Sequence, residues 1–235
     1  EEAYLNELKP DIILEVSYGQ IIPKNFLNIP KYGFLNVHAS LLPKWRGAAP
    51  IQRSIMNLDR ETGISIMKIN ENLDEGPVCN QYSLNILENM NSDQLSEKLS
   101  TIASEKILDI LDNIYDGDIE FKDQDHSKAT YAKKIQKIEG KIDWNDNAEK
   151  IIGKINGLYP YPGAYFSFNG ERYKILKAEK SNTMGKAGSI VSENFEICCG
   201  EGSIKVLSIQ REGKRVQQIN EFLLGSQIKK GFNIA

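Results

Sequence analysis

One segment of this chain, residues 34–53, constrains the fold more than any other, and it reads FLNVHASLLPKWRGAAPIQR. A strand-like apolar run contains Asn36 and His38, and a loop then leads to a helix beginning near Pro50, because proline is tolerated in the first turn of a helix. Side chains alternate along a strand, so Asn36 and His38 are predicted to share a face. A strand, a polar pair, a loop and a helix are typical of an active-site edge in an α/β sheet.

Length and composition restrict the class of protein. The 235 residues suit one large domain or two modest ones, and the 40 % share of hydrophobic residues is enough for genuine cores. Cys79, Cys198 and Cys199 show no disulfide-framework spacing, which favours a reducing cytosolic compartment. With two histidines and no cluster of ligands, no metal site is predicted. The chain has no apolar run of about 18 residues and no signal-peptide pattern, so we expect no membrane span and no secretion.

The charge is divided unevenly along the chain. Residues 1–126 hold 11 Lys and Arg against 21 Asp and Glu, whereas residues 127–235 hold 18 against 11. A basic second half is typical of a domain that binds a polyanion such as a nucleic acid. The alternative is an ordinary solvated surface rich in lysine.

The pattern of apolar residues predicts two domains. Residues 1–117 combine buried-looking strands with helices, including a long helix that begins near Ser92, and are expected to form an α/β domain. Residues 118–130 are polar and acidic and are predicted to be a linker. Residues 131–235 contain short strands and glycine-rich turns, so they predict a small OB-like β-barrel. Its strands are expected at 164–168, 172–178, 188–192, 195–199 and 203–210.

Three side chains have the chemistry needed for acyl transfer. The Asn36 amide donates hydrogen bonds to a developing oxyanion, the His38 imidazole gives or takes a proton near neutral pH, and the Asp74 carboxylate orients such a ring. No serine or cysteine is placed as an evident nucleophile, so a substrate amine is expected to attack directly. Taken alone, the acidic loop around Asp74 is more typical of a solvated turn than of an active site.

Glu15 interrupts an otherwise apolar predicted strand, residues 12–17. Burying an unpaired carboxylate is costly, so Glu15 is expected either at an exposed end of the strand or against a ligand or partner.

Residues 36–47, NVHASLLPKWRG, followed by LDEG at 73–76, resemble the folate-dependent formyltransferase family. The extension AAPIQ at 48–52 resembles the branch of that family that acts on methionyl-tRNA. The similarity also includes residues 18–23, 61–63, 129–132 and 140–144. It implies a partial, Rossmann-like formyltransferase domain followed by the OB-like domain.

The resemblance implies a specific reaction and specific site residues. The formyl group would pass from 10-formyltetrahydrofolate, a co-substrate, to the amino group of methionine on initiator tRNA, for translation initiation, with no metal. The catalytic residues of the family would be Asn36, His38 and Asp74. Its folate-binding loop would comprise Ser40, Leu41, Leu42 and Pro43. The basic second domain would hold tRNA phosphates, and we expect a cytoplasmic monomer.

The resemblance also implies an N-terminal part that precedes Glu1 in the family and is absent here. We therefore expect the first sheet to expose an unpaired edge, and the 235-residue chain to be unstable or inactive unless that part is supplied. The alternative functions are formyl transfer to an amino sugar or a purine precursor, hydrolysis of formyltetrahydrofolate, and a catalytically silent RNA-binding module.

Overall fold

The computed structural model describes residues 1–235, which divide into two compact units. The first unit comprises Glu1–Arg53, Arg60–Ile86 and Leu95–Lys134. The second comprises Ser54–Asp59, Leu87–Gln94 and Ile135–Ala235. Each unit is therefore assembled from segments that are not contiguous in sequence.

The first unit is built around a four-stranded sheet with the order β1-β2-β3-β4. Its strands are β1 (Ile13–Glu15), β2 (Phe34–His38), β3 (Glu61–Lys68) and β4 (Val78–Asn85). Strand β1 is parallel to β2, whereas β2, β3 and β4 run antiparallel to one another in turn. The helices named for this part of the chain are α1 (Glu2–Leu8), α2 (Lys24–Leu27), α3 (Pro50–Met56) and α4 (Ser92–Asp116).

Strand β1 forms one edge of this sheet, with β2 as its only strand neighbour. The exposed apolar side chains around it include Leu14, Val16 and Ile21, the last of which is 84 % exposed. Glu15 lies at the end of β1 and is half-buried, and its carboxylate accepts a hydrogen bond from the backbone N–H of Tyr18. Glu15 therefore stabilises the turn that follows the strand.

The second unit is an antiparallel sheet with the order β5-β6-β8-β7 and with β9 paired to β8. Its elements are α5 (Ala148–Gly157), β5 (Ala164–Phe168), β6 (Glu171–Ser181), β7 (Glu196–Cys198), β8 (Ser203–Arg211), β9 (Val216–Gln218) and α6 (Ile219–Gly225). The Asn147 side chain caps α5 by accepting a hydrogen bond from the Lys150 backbone N–H. The unit has its own apolar core, which includes Trp144, Ile155 and Phe166.

The strand predicted at residues 188–192 is wrong. Ser189 and Ile190 form only isolated bridges, to Asn233 and Ile197 respectively. Gly188 has a φ of 78°, and such a left-handed backbone interrupts extended structure. The segment therefore bonds to partners on two sides instead of forming a ladder with one strand.

Two isoleucines on α5 test the core of the second unit. Ile155 is fully buried, whereas Ile152 is only partly buried against the same cluster. We expect Ile155→Ala to lower the free energy of unfolding by about 2–5 kcal/mol, because a methyl-lined cavity replaces close packing. Ile152→Ala, the matched control on the same helix, should lower it clearly less. Urea denaturation measures both, and equal losses would contradict this description of the core.

Candidate active site

His38 ends strand β2 with its ring buried, at 6 % exposure. Its Nε2 lies 2.9 Å from the carbonyl oxygen of Trp45, and its Nδ1 lies 3.6 Å from Oδ2 of Asp74. Both neighbours are acceptors, and a neutral imidazole donates from only one nitrogen. Nε2–H therefore donates to the Trp45 carbonyl oxygen, and the Nδ1 side of the ring faces the Asp74 carboxylate.

Asp74 lies in the loop that follows β3. Its backbone φ is 52°, a value that residues other than glycine rarely adopt. Its Oδ2 accepts a hydrogen bond of 2.7 Å from the Gly47 backbone N–H, in addition to facing His38. The loop packs directly against the sheet, since a Cβ at Gly76 would lie 1.8 Å from the carbonyl oxygen of Lys68. Only glycine fits at that position.

Asn36 lies two residues before His38 on β2 and is half-buried. Strand alternation directs both side chains to one face. The Asn36 amide makes no hydrogen bond within the chain, so its donors are available to a ligand. The structure thus places His38 and Asp74 face to face, with Asn36 on the same face of β2 as His38.

The Ser65 side chain supports the predicted folate loop through hydrogen bonds. The Ser65 hydroxyl donates to the carbonyl oxygen of Ser40 at 2.6 Å and accepts from the backbone N–H of Leu42 at 2.9 Å. The side-chain amide of Gln81 donates to Ser65 and to the Leu42 carbonyl oxygen. The Ser40 hydroxyl itself bonds to the carbonyl oxygen of Lys44.

The four loop residues differ in exposure. Ser40 and Leu42 are buried, whereas Leu41 and Pro43 are half-buried. The peptide bond between Leu42 and Pro43 is cis. Leu41 and Pro43 are therefore the members of the loop whose side chains can meet a ligand.

Residues 130–132 form backbone hydrogen bonds with the segment that follows the loop. The Arg46 backbone N–H donates to the Thr130 carbonyl oxygen at 2.9 Å, and the Ala132 N–H donates to the Arg46 carbonyl oxygen at 2.7 Å. Gly47 has a φ of 111°, and a Cβ there would lie 2.9 Å from the Ala132 carbonyl oxygen. A glycine is required where these two backbones approach each other.

Arg46 is a buried residue of the candidate site to which sequence reasoning gave no role. Its side chain is 1 % exposed, and its guanidinium bonds to Glu75, Gln124 and His126. A buried charge is stable only with such partners. The sequence around Arg46 gave no signal of burial, and Gln124 and His126 lie in a segment predicted to be a linker.

The cysteines are poorly suited to nucleophilic attack. Burial raises the pKa of Cys79, and it raises the pKa of Cys199 to about 12. None of the three cysteines, including Cys198, forms a disulfide bond. Since the thiolate is the reactive form, the protonated thiols agree with direct attack by a substrate amine.

The structure shows neither a metal-binding cluster nor a membrane-spanning helix. No group of three or more His, Cys, Asp and Glu side chains is arranged to hold a metal ion. None of the helices combines the length and the apolar character that crossing a bilayer requires.

Two sequence profiles match the chain. The profile described as "Formyl transferase" matches residues 2–111, and that described as "Formyl transferase, C-terminal domain" matches residues 134–227. Together they account for most of the chain.

Bacterial methionyl-tRNA formyltransferases are similar to this chain over nearly its whole length. A methionyl-tRNA formyltransferase of Pelagibacter ubique is 61 % identical over 235 residues, which are 100 % of this chain and 76 % of the relative. One of Thermodesulfovibrio yellowstonii is 42 % identical over 97 % of this chain and 75 % of its own length. Among solved structures, HypX of Aquifex aeolicus in complex with tetrahydrofolic acid aligns with a TM-score of 0.74 at 19 % identity, over 97 % of this chain and 42 % of that one. The predicted fold class, a Rossmann-like α/β domain followed by a small β-barrel-like domain, is confirmed.

Replacing Ser65 tests how the loop is held. Ser65→Ala leaves the buried Leu42 N–H without its acceptor, so the free energy of unfolding should fall by about 1–3 kcal/mol. Ser83→Ala on the adjacent strand removes an exposed hydroxyl and should change it by less than about 0.5 kcal/mol. Urea denaturation measures both, and a neutral Ser65→Ala would show that the hydroxyl does not hold the loop.

Proposed function

The chain belongs to the formyltransferase family and, within it, to the methionyl-tRNA formyltransferases, and from this we propose that Asn36, His38 and Asp74 are its catalytic residues. The enzyme transfers the formyl group of 10-formyltetrahydrofolate to the amino group of methionine on initiator tRNA, for translation initiation. The observation that supports these residues best is the approach of His38 Nδ1 to Asp74 Oδ2 at 3.6 Å, with the unengaged Asn36 amide on the same strand.

Each of the three residues has a distinct role in this proposal. 10-Formyltetrahydrofolate supplies the formyl carbon, which the methionine amine attacks directly. The Asn36 amide donates to the formyl oxygen as negative charge develops there, and the charged His38 ring stabilises the same charge electrostatically. Asp74 stabilises the ring and accepts a proton from the attacking amine, directly or through a water molecule. When the tetrahedral intermediate collapses, the bond between the formyl carbon and N10 breaks, and N10 takes up that proton as tetrahydrofolate leaves.

The folate loop is proposed for binding and not for chemistry. Leu41 and Pro43 are its half-buried apolar members, and apolar side chains line most small-molecule sites. Ser40 and Leu42 fix the shape of the loop through Ser65. Substitutions of Leu41 and Pro43 are therefore expected to act on folate affinity.

We assign the catalytic role to residues 1–117 and tRNA binding to residues 131–235. On β6, Arg172 and Lys174 alternate with the buried Tyr173 and therefore point away from the core. The Arg172 guanidinium lies 4.2 Å from the ring centre of Tyr165. Neither cation has a carboxylate partner, whereas most other cations of this sheet do. These two side chains are suited to bind phosphates.

A cytoplasmic monomer is proposed as the working form. Cys79, Cys198 and Cys199 are all free, as is usual in a reducing compartment. One copy of the chain supplies Asn36, His38 and Asp74 together, so the proposed site needs no second subunit. Sedimentation of the full-length protein tests the monomer.

Formylation of charged initiator tRNA by the full-length protein tests the catalytic assignment. His38→Ala removes the charged ring, so the rate should fall by about 10²- to 10⁴-fold. Asp74→Asn keeps the shape but removes the carboxylate and should cause a loss in the same range. Ser83→Ala, an exposed change on β4, is the control and should keep the wild-type rate. Wild-type rates in both site variants would refute the assignment.

A salt titration tests the proposed tRNA surface. The double variant Arg172→Gln, Lys174→Gln should raise KM for tRNA with little change in kcat, because phosphate contacts contribute binding but no chemistry. Each lost contact should also lower the salt slope of binding by about 1.

The matched control is Lys205→Gln, since Lys205 is paired with Glu179 at 3.1 Å on the same sheet. This variant should leave KM and the salt slope unchanged. An equal effect from Lys205 would indicate general charge and would exclude a surface centred on β6.

A further inference from the structure

We propose that Gln124 is a positioning residue that holds Asp74 beside His38. This inference rests on the proposed function, because it concerns the role of Asp74 in formyl transfer. Sequence reasoning gave Gln124 no role, since it lies in a polar, acidic stretch predicted to be a linker.

The side-chain amide of Gln124 is fully engaged. Gln124 is 8 % exposed, and its Oε1 accepts from Nε of Arg46 at 3.1 Å and from Nη2 at 2.8 Å. Its Nε2 donates to the carbonyl oxygen of Asp74 at 2.9 Å and to that of Gly76 at 2.7 Å. Gln124 therefore connects the buried guanidinium to the backbone on both sides of Glu75.

Arg46 fixes which way this amide points. A guanidinium only donates, so Oε1 must face Arg46 and Nε2 must face the two carbonyl groups. Arg46 is itself fixed, because its Nη1 donates to Glu75 at 3.0 Å and its Nη2 lies 3.3 Å from Nδ1 of His126. A carboxylate at position 124 would lack the donors, and an ammonium would lack the acceptor.

Asp74 needs such support because its backbone is left-handed, with a φ of 52°. For a residue other than glycine this conformation costs free energy, which contacts with the surrounding structure offset. With its carbonyl group held by Gln124, the carboxylate of Asp74 reaches the Gly47 N–H at 2.7 Å and faces His38. The two hydrogen bonds from Gln124 to the carbonyl oxygens of Asp74 and Gly76 form a backbone clamp. This clamp determines where the carboxylate lies.

The turn after Gln124 is itself anchored. Residues His126–Lys128 form a short 3-10 helix whose N-cap is Asp125. Hydrogen bonds from Lys128 and Ser127 lower the pKa of Asp125 to about 2, so this cap stays ionised at neutral pH. The anchored turn presents both Gln124 and His126 to Arg46.

The decisive variant is Gln124→Glu in the full-length enzyme. The glutamate keeps an acceptor for Arg46 but loses both donors to Asp74 and Gly76. We expect kcat for formylation to fall by about 10- to 100-fold, because a small misplacement of a catalytic group has an effect of that size. KM for tRNA should stay unchanged. Gln227→Glu, the same substitution at an exposed position of the second unit, should change neither constant.

The Gly47 backbone amide reports on the clamp without any reaction, because it donates to Asp74 Oδ2. In an amide NMR spectrum of the labelled protein, Gln124→Glu should shift this resonance and speed its hydrogen exchange, with the melting temperature close to wild type. Gln124→Asn keeps both kinds of hydrogen-bonding group on a side chain one methylene shorter. Gln124→Asn should change the Gly47 resonance and its hydrogen exchange in the same direction but by less. It replaces Gln124→Glu in this experiment if that variant does not fold.

Two outcomes separate this inference from the proposed function. If kcat and the Gly47 amide both stay at wild-type values in the Gln124 variants, the positioning role is refuted while the formyl transfer stands. If the wild-type enzyme forms no formyl-methionyl-tRNA but the Gly47 amide responds as expected, the clamp is supported and the proposed function fails.

Discussion

The buried guanidinium of Arg46 is the interaction on which the proposed site depends. A charge that is 1 % exposed must be surrounded by acceptors, and Arg46 finds them in Glu75, Gln124 and His126. These partners come from the loop after β3 and from the segment before Lys128. Because one charge requires all of them, the loop that contains Asp74 is tied to the loop that follows β2.

The two units suit different tasks for physical reasons. In the first, buried polar groups fix a small number of side chains at the end of β2, which is what proton transfer and oxyanion stabilisation require. In the second, an apolar core supports half-buried cations such as Arg172 and Lys174 on β6. Binding an extended polyanion needs surface charge and little precision, whereas chemistry at a formyl carbon needs fixed geometry.

Much of the fold was predictable from local patterns. The helix start near Ser92 and the strand 164–168 follow from the local pattern of apolar and polar residues, and the structure has both. The strand expected at 188–192 was wrong, and β9 and α6 were not predicted. At 188–192 the backbone bonds to partners distant in sequence, such as Asn233 with Ser189, and no local pattern encodes such pairs.

The sequence by itself determined which residues are proposed for the site. Alternation along β2 placed Asn36 and His38 on one face, and the resemblance at 73–76 added Asp74. Only the tertiary structure decided how these groups are held: the carboxylate 3.6 Å from the imidazole, the loop supported by Ser65, and the Asp74 backbone fixed by Gln124. The reason is physical, since the period of a strand or helix specifies a face, whereas a hydrogen bond to a buried carbonyl depends on which distant segments the whole chain brings together.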